Sequence, residues 1–171
     1  MSTATAEMKT QAQPANTYKP KGMLIGGKWV ESASGARITI ENPGKRTAVA
    51  EVPRAAEADV NAAVEAAEKA FPAWKNVVPR ERGKILLKIA EVLEARSEEM
   101  ARTIALETGN ALRTQARGEA KLAADIFRYF GGLGSELKGE TVPLGEHVLS
   151  YTRREPIGIV GAIIPWNAPV M

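Results

Sequence analysis

The run Ile157–Ile164, with the sequence IGIVGAII, is apolar at both alternating sets of positions. A β-strand turns successive side chains to opposite faces, so a strand with this pattern has no face suited to water. Strands of this kind lie inside α/β sheets, where helices cover both faces. The run therefore predicts an α/β fold in which other strands and helices bury it.

This apolar run comes at the end of the chain, and no further helix or strand pattern follows before Met171. Parallel partner strands require crossover connections of a dozen or more residues, and an unpartnered apolar strand tends to aggregate. We therefore expect the chain to be the truncated N-terminal portion of a larger α/β protein. The alternative is a complete α+β domain whose last strand joins the opening hairpin.

The sequence before the run predicts a small antiparallel unit and then helices. Gly26-Gly27 between short apolar runs is typical of a β-hairpin. Two further strands are predicted, and a strand of mixed polarity is predicted shortly before the apolar run: Arg37–Glu41, Thr47–Val52 and Glu146–Arg153.

Four amphipathic helices are predicted between these strands, with apolar residues at helical spacing. The first begins at Glu57 and ends at Pro72, and its inward stripe includes Val60 and Val64. The second helix is predicted to begin at Pro79, and the third to begin at a Ser97 cap and end at Gly109. The fourth is predicted to span Thr114 to Phe130, with Phe130 facing inward.

Several classes of site are excluded by the residues that the chain lacks. It has no Cys, so it contains no disulfide, thiolate metal site or cysteine nucleophile. The single histidine, His147, cannot form a multi-histidine zinc site, and we predict no metal. The net charge of +3 is spread along the chain and predicts no nucleic-acid partner. Without a long apolar run or a signal-like N-terminus, we expect no membrane association and a cytoplasmic location.

Asn167 follows the apolar run and lies between Pro165 and Pro169. Ligands bind at the carboxyl ends of strands in open α/β sheets, and the two prolines restrict the backbone around Asn167. A side-chain amide held there can donate a hydrogen bond to an oxygen that becomes negatively charged during a reaction. The alternative is a structural turn closed by an Asn side chain.

The segment Tyr151–Pro169, YTRREPIGIVGAIIPWNAP, closely resembles the aldehyde dehydrogenase superfamily through its P-x-G-x-x-x-x-x-x-P-W-N pattern. The runs LIGGKWVES, ENPGKRTAVAEVPRA and ALETGNALRTQARGE also resemble that family, so the resemblance covers residues 22–171. It implies the N-terminal part of the aldehyde dehydrogenase fold: opening β-hairpins, helices, an oligomerisation strand arm and the first strand of a Rossmann-like cofactor domain.

The polar, aperiodic start of the chain and the same resemblance together imply a division of the chain into four parts. Residues 1–21 are a flexible arm, and residues 22–138 are the N-terminal part of the cofactor-binding domain. Residues 139–156 form the oligomerisation arm, and residues 157–171 form the first cofactor-domain strand with the P-W-N motif.

In function, the resemblance implies NAD- or NADP-dependent oxidation of a small-molecule aldehyde to a carboxylate, through a cysteine thiohemiacetal. Asn167 is then catalytic and lines the oxyanion hole. The backbone of Ile163, Ile164 and Pro165, with Trp166 beside it, lies against the nicotinamide cofactor. The nucleophile and the general base are not in this chain, which is therefore expected to be inactive alone, and the full-length protein is expected to be a homo-oligomer. The competing hypothesis is a non-catalytic α+β interaction module.

Overall fold

The computed structural model describes residues 21–171, so the predicted N-terminal arm lies, except for Lys21, outside the described residues. This part of the chain contains three two-stranded antiparallel sheets and a group of helices. The strands are β1 (Met23–Ile25), β2 (Lys28–Val30), β3 (Arg37–Asn42), β4 (Thr47–Pro53), β5 (Thr141–Pro143) and β6 (Leu149–Tyr151). The helices are α1 (Glu57–Lys75), α2 (Pro79–Ala95), α3 (Ser97–Thr108) and α4 (Arg117–Gly132), with a π-helical turn at Leu112–Ala116 and a 3₁₀ turn at Leu133–Ser135.

The predicted opening hairpin is confirmed. β1 pairs with β2 around Gly26 and Gly27, whose φ angles are 57° and 79°. Two consecutive positive φ angles are what a tight two-residue hairpin turn requires, and glycine adopts them without steric cost. The second predicted pair is also present as β3 and β4, although the last strand extends through Pro53.

A single carboxylate joins the start of α1 to the loop after β2. Asp59 is buried and accepts hydrogen bonds from the backbone N–H groups of Ala56 at 2.8 Å and Ala33 at 2.9 Å, and from the Ser32 hydroxyl at 3.0 Å. These donors, the Ala56 N–H foremost, hold the pKa of Asp59 below its usual value. The carboxylate also satisfies a free donor at the N-terminus of α1.

The core lies between α2, α3 and α4 and consists mostly of small side chains. Its buried apolar residues are Ala90, Ala101, Ile104, Ala116, Ala120, Ala123 and Ala124. At the crossing of α2 and α4, a Cβ on Gly83 would lie 2.5 Å from the Gly131 carbonyl oxygen. The two backbones therefore approach as closely as glycine permits, which lets short side chains fill the interface.

Three predicted helix boundaries are wrong. Pro72 does not end α1, which continues to Lys75, because a proline this close to the C-terminus removes only one hydrogen bond of the helix. Ser97 is not a capping residue, since α2 and α3 are nearly continuous and the carbonyl of Arg96 already accepts the Met100 N–H. The fourth helix begins with a π-helical turn and becomes α-helical only at Arg117.

Some apolar stripes that the sequence predicts to face inward are exposed. Val60 and Val64 of α1 and Phe130 of α4 have 54%, 41% and 56% of their surfaces exposed. The helical periodicity is correct, but no described element packs over these positions. The small residues of the fourth helix do face inward, since Ala120, Ala123 and Ala124 are buried.

The predicted strand Ile157–Ile164 is not formed in the structure. Strand structure requires a partner backbone, and no strand of the described chain lies beside these residues. Ile157 and Ile163 are fully exposed as a result. The segment also does not join the opening hairpin, which was the alternative arrangement. Only the central part of the other predicted late strand is present, as β6 paired with β5.

In residues 21–171, no helix has the length and apolar character needed to cross a membrane.

Candidate functional site

The candidate site is the turn at residues 166–170, which follows the exposed apolar run. Trp166 and Asn167 are exposed, whereas Ala168 and Pro169 are partly buried. The turn therefore rests on the protein through its second half and presents its first half outward.

Asn167 contacts the rest of the chain through its backbone and not through its side chain. Its carbonyl oxygen accepts a hydrogen bond from Nδ2 of Asn110 at 3.3 Å. Its side-chain amide has no hydrogen-bond partner within residues 21–171. The amide therefore does not close the local Asn turn that the sequence left open as an alternative, and both of its N–H groups are free to bind a ligand.

A second hydrogen bond fixes the far end of the same turn. The backbone N–H of Val170 donates to Oε1 of Glu119 at 3.0 Å. Glu119 lies in the first turn of α4 and is partly buried. A charged acceptor makes this bond stronger than one between neutral groups.

Asn110 is itself positioned by the end of α3. Gly109 ends that helix, as predicted, and its φ of 77° is the left-handed conformation with which many helices end. The Thr108 hydroxyl oxygen then accepts the Asn110 backbone N–H at 3.1 Å. A Cβ on Gly109 would lie 2.8 Å from Cγ of Pro43 in the β3–β4 turn. The backbone at Asn110 is thus fixed by α3 and by that turn.

A salt bridge joins α3 to α4 near this contact. Arg117 donates to both carboxylate oxygens of Glu98, at 2.7 and 2.9 Å. Arg117, helped by Arg102, lowers the pKa of Glu98 to about 2. Glu98 therefore neutralises the charge of Arg117, which lies in the first turn of α4 together with Glu119.

The four residues expected to contact a cofactor form an open surface. Ile163 is fully exposed, Ile164 and Trp166 are 65% and 76% exposed, and Pro165 is also exposed. No backbone group of residues 157–165 is hydrogen-bonded to another described residue. These residues therefore present an exposed apolar surface with free backbone groups. The described residues contain no cluster of acidic or histidine side chains able to hold a metal.

The structure thus places Asn167 and the four neighbouring residues on one exposed segment, and it adds two residues to the site. Neither Asn110 nor Glu119 is among the site residues that the sequence predicts. Both lie more than fifty residues from their partners, at separations of 51 and 57. The only local signal was the position of Asn110 directly after a helix-ending glycine.

The described residues thus form a mixed α and β structure with helices packed around small residues, short hairpins and an exposed amide after an apolar segment. The family model of the aldehyde dehydrogenase family matches residues 29–171. The chain therefore belongs to the aldehyde dehydrogenase family, as the sequence motifs predicted.

Individual relatives give the same result. An aldehyde dehydrogenase of Aspergillus niger is 40% identical over 154 residues, which are 90% of this chain and 31% of the relative. The NAD-dependent aldehyde dehydrogenase of Sinorhizobium meliloti is 39% identical with a TM-score of 0.86, covering 93% of this chain and 32% of that one. PnpE, solved with nicotinamide adenine dinucleotide, is 38% identical with a TM-score of 0.84, covering 88% of this chain and 31% of that one. The matched structures also include an NADP-dependent enzyme of E. coli.

The chain spans about a third of the length of these relatives, 31% of the Aspergillus niger protein. Its fold corresponds to part of the aldehyde dehydrogenase fold, with mixed helices and strands.

Proposed function

We propose that this chain supplies the N-terminal portion of an NAD- or NADP-dependent aldehyde dehydrogenase that oxidises a small-molecule aldehyde to a carboxylate. The family match and the NAD-dependent and NADP-dependent structural relatives support this proposal. Within it, residues 22–138 and 157–171 belong to the cofactor-binding domain. Residues 139–156, which contain β5 and β6, form an arm for a homo-oligomer, and the enzyme is cytoplasmic.

Asn167 donates a hydrogen bond to the aldehyde oxygen as that oxygen gains negative charge. One observation carries this role: the backbone of Asn167 is hydrogen-bonded to Asn110, while its side-chain amide is exposed and free. A donor fixed in place before the reaction stabilises the transition state more than the neutral substrate, because the substrate oxygen becomes charged only during attack.

The exposed segment from Ile163 to Trp166 binds the nicotinamide part of the cofactor. When bound, NAD or NADP supplies the hydride acceptor. The residues of this chain contribute an apolar contact surface and free backbone groups, which orient the ring and exclude water from it.

The rest of the chemistry requires groups that this chain does not contain. It has no Cys, so the thiolate that attacks the aldehyde and forms the thiohemiacetal belongs to another part of a longer protein. The general base that activates water to release the acid is assigned to that part as well. We use "family-length enzyme" for a protein in which this chain is followed by the segment that its relatives have beyond it.

The test compares Asn167→Ala with wild type in the family-length enzyme. Loss of one oxyanion donor lowers kcat by roughly 10²–10³ in comparable sites. We expect a fall of that order, with unchanged affinity for the cofactor measured by fluorescence titration. Asn61→Ala, which removes an exposed amide from α1, is the matched control and should leave kcat unchanged. Full turnover by Asn167→Ala would remove Asn167 from the mechanism.

The competing proposal, a non-catalytic interaction module, predicts a different result. A family-length enzyme that oxidises no aldehyde with NAD or NADP, while the 171-residue chain binds a partner protein, would favour the module.

A further inference from the structure

We propose that Asn110 and Glu119 are positioning residues that together hold the Asn167 turn in its working orientation. The inference deepens the proposed function, on which its catalytic part rests. Both side chains are hydrogen-bonded to backbone atoms of the turn, so both residues act through the backbone of the turn.

These two side chains make the only hydrogen bonds that join residues 157–171 to the remainder of the described chain. Asn110 binds the carbonyl of Asn167, and Glu119 binds the N–H of Val170, three residues later. The turn is therefore attached at both ends, with Pro169 restricting φ between the attachments. A backbone segment fixed at two points leaves the Asn167 side chain few directions in which to project.

The two attachments are supported by helices that pack against each other. Asn110 follows α3, and Glu119 lies in α4. Ala101 and Ile104 of α3 form one buried cluster with Ala120 of α4 and with Ala116 of the π-helical turn that precedes α4. The Glu98–Arg117 salt bridge joins their exposed sides. The two attachments are therefore held by helices that share one core cluster and one salt bridge.

The chemistry of each side chain suits its partner. A carboxylate can only accept hydrogen bonds and therefore matches the Val170 N–H, and the Nδ2 of an asparagine donates and matches a carbonyl. Conservative substitutions separate these roles. Glu119→Gln keeps an acceptor oxygen, whereas Asn110→Asp replaces the donor with a negative charge facing the Asn167 carbonyl oxygen.

The structural test measures amide hydrogen exchange in the full 171-residue chain by NMR. Glu119→Ala should increase the exchange rate of the Val170 amide about tenfold, the typical effect of losing a hydrogen bond to a charged group. Glu119→Gln should restore most of the protection. Glu107→Ala, which removes an exposed carboxylate from α3, should change nothing at Val170. Unchanged Val170 exchange in Glu119→Ala would overturn the proposal, whatever the function of the protein.

The catalytic test uses the family-length enzyme. Asn110→Ala and Glu119→Ala should lower kcat about tenfold at unchanged KM for the aldehyde, because a misdirected donor weakens only transition-state binding. Asn110→Asp should lower kcat further, and Glu119→Gln should recover most of it. Wild-type kcat in both alanine variants, with a large loss in Asn167→Ala, would overturn the positioning role alone. Wild-type kcat in all three variants would instead overturn the proposed function of Asn167.

Discussion

The helix crossing at Gly83 makes a quantitative prediction about stability. Gly83 is buried in α2, and a Cβ there would lie 2.5 Å from the Gly131 carbonyl oxygen and 3.6 Å from Cα of Gly134. The first of these atoms obstructs the new Cβ, whereas the second is at an ordinary contact distance, and because the obstruction is backbone no side chain can rotate out of the way. Gly83→Ala therefore forces α2 and the end of α4 apart.

Two opposing effects determine how much Gly83→Ala changes the free energy of unfolding. Alanine is a better helix former than glycine by about 1 kcal/mol. Overpacking a well-packed interface costs typically ~1–3 kcal/mol, and a backbone obstruction belongs at the upper end of that range. We expect Gly83→Ala to lower the free energy of unfolding by about 2 kcal/mol.

Gly118→Ala is the matched control, because it makes the same substitution in an α-helix with nothing within 4 Å of the new Cβ. Only the helix-propensity effect remains, so this variant should gain roughly 0.5–1 kcal/mol. Urea unfolding of the 171-residue chain, followed by circular dichroism, measures both changes at constant m-value. If Gly83→Ala raises the urea midpoint as Gly118→Ala does, the close crossing of α2 and α4 is wrong.

Three further predictions concern the end of α3, acid stability and activity. Gly109→Ala should destabilise the chain by about 1–2 kcal/mol in the same urea assay, because φ of 77° strains any L-residue other than glycine and the Cβ meets Pro43. Folding lowers the pKa of Asp59 below its usual 3.8, and it lowers the pKa of Glu98 from 4.5 to about 2. The stabilisation from each carboxylate is therefore present above its unfolded pKa and is lost as pH falls through its folded pKa. Urea midpoints measured between pH 6 and 2 (approximate limits set by these pKa values) should decline below about pH 4.5, and less steeply in Asp59→Asn; equal slopes would contradict the role of Asp59. Finally, the 171-residue chain alone should produce no NADH from any aldehyde, because it has no Cys, and measurable turnover would refute the assignment of the nucleophile to another segment.

Local signals predicted much of the fold. Gly26-Gly27 predicted the first hairpin because the turn needs two positive φ angles, and both are observed. Pro79 and Gly109 correctly marked a helix start and a helix end for equally local reasons. The family was predicted from the P-W-N string and is confirmed by the family match.

Features that depend on packing were predicted less well. Val60 and Val64 have the spacing of a buried stripe, but spacing does not say which element covers it. Ile157–Ile164 has the composition of a central strand, yet it forms no strand without a partner backbone. The composition of a segment indicates whether it is suited to a buried strand or helix, whereas the neighbouring elements determine whether it becomes buried or paired.

The support of the candidate site could not be predicted for a similar reason. Asn110 and Glu119 reach the Asn167 turn across separations of 57 and 51 residues, and no local pattern encodes such contacts. Asn167 itself was identifiable, since two prolines and an apolar run surround it in the sequence.

Single-turnover kinetics of the family-length enzyme test the role of Asn167 most directly. With enzyme saturated by cofactor and in excess over aldehyde, the rate of NADH formation reports the chemical steps without product release. We predict that Asn167→Ala slows this rate by roughly 10²–10³. A rate equal to that of the wild-type enzyme would show that the Asn167 amide does not stabilise the developing oxyanion.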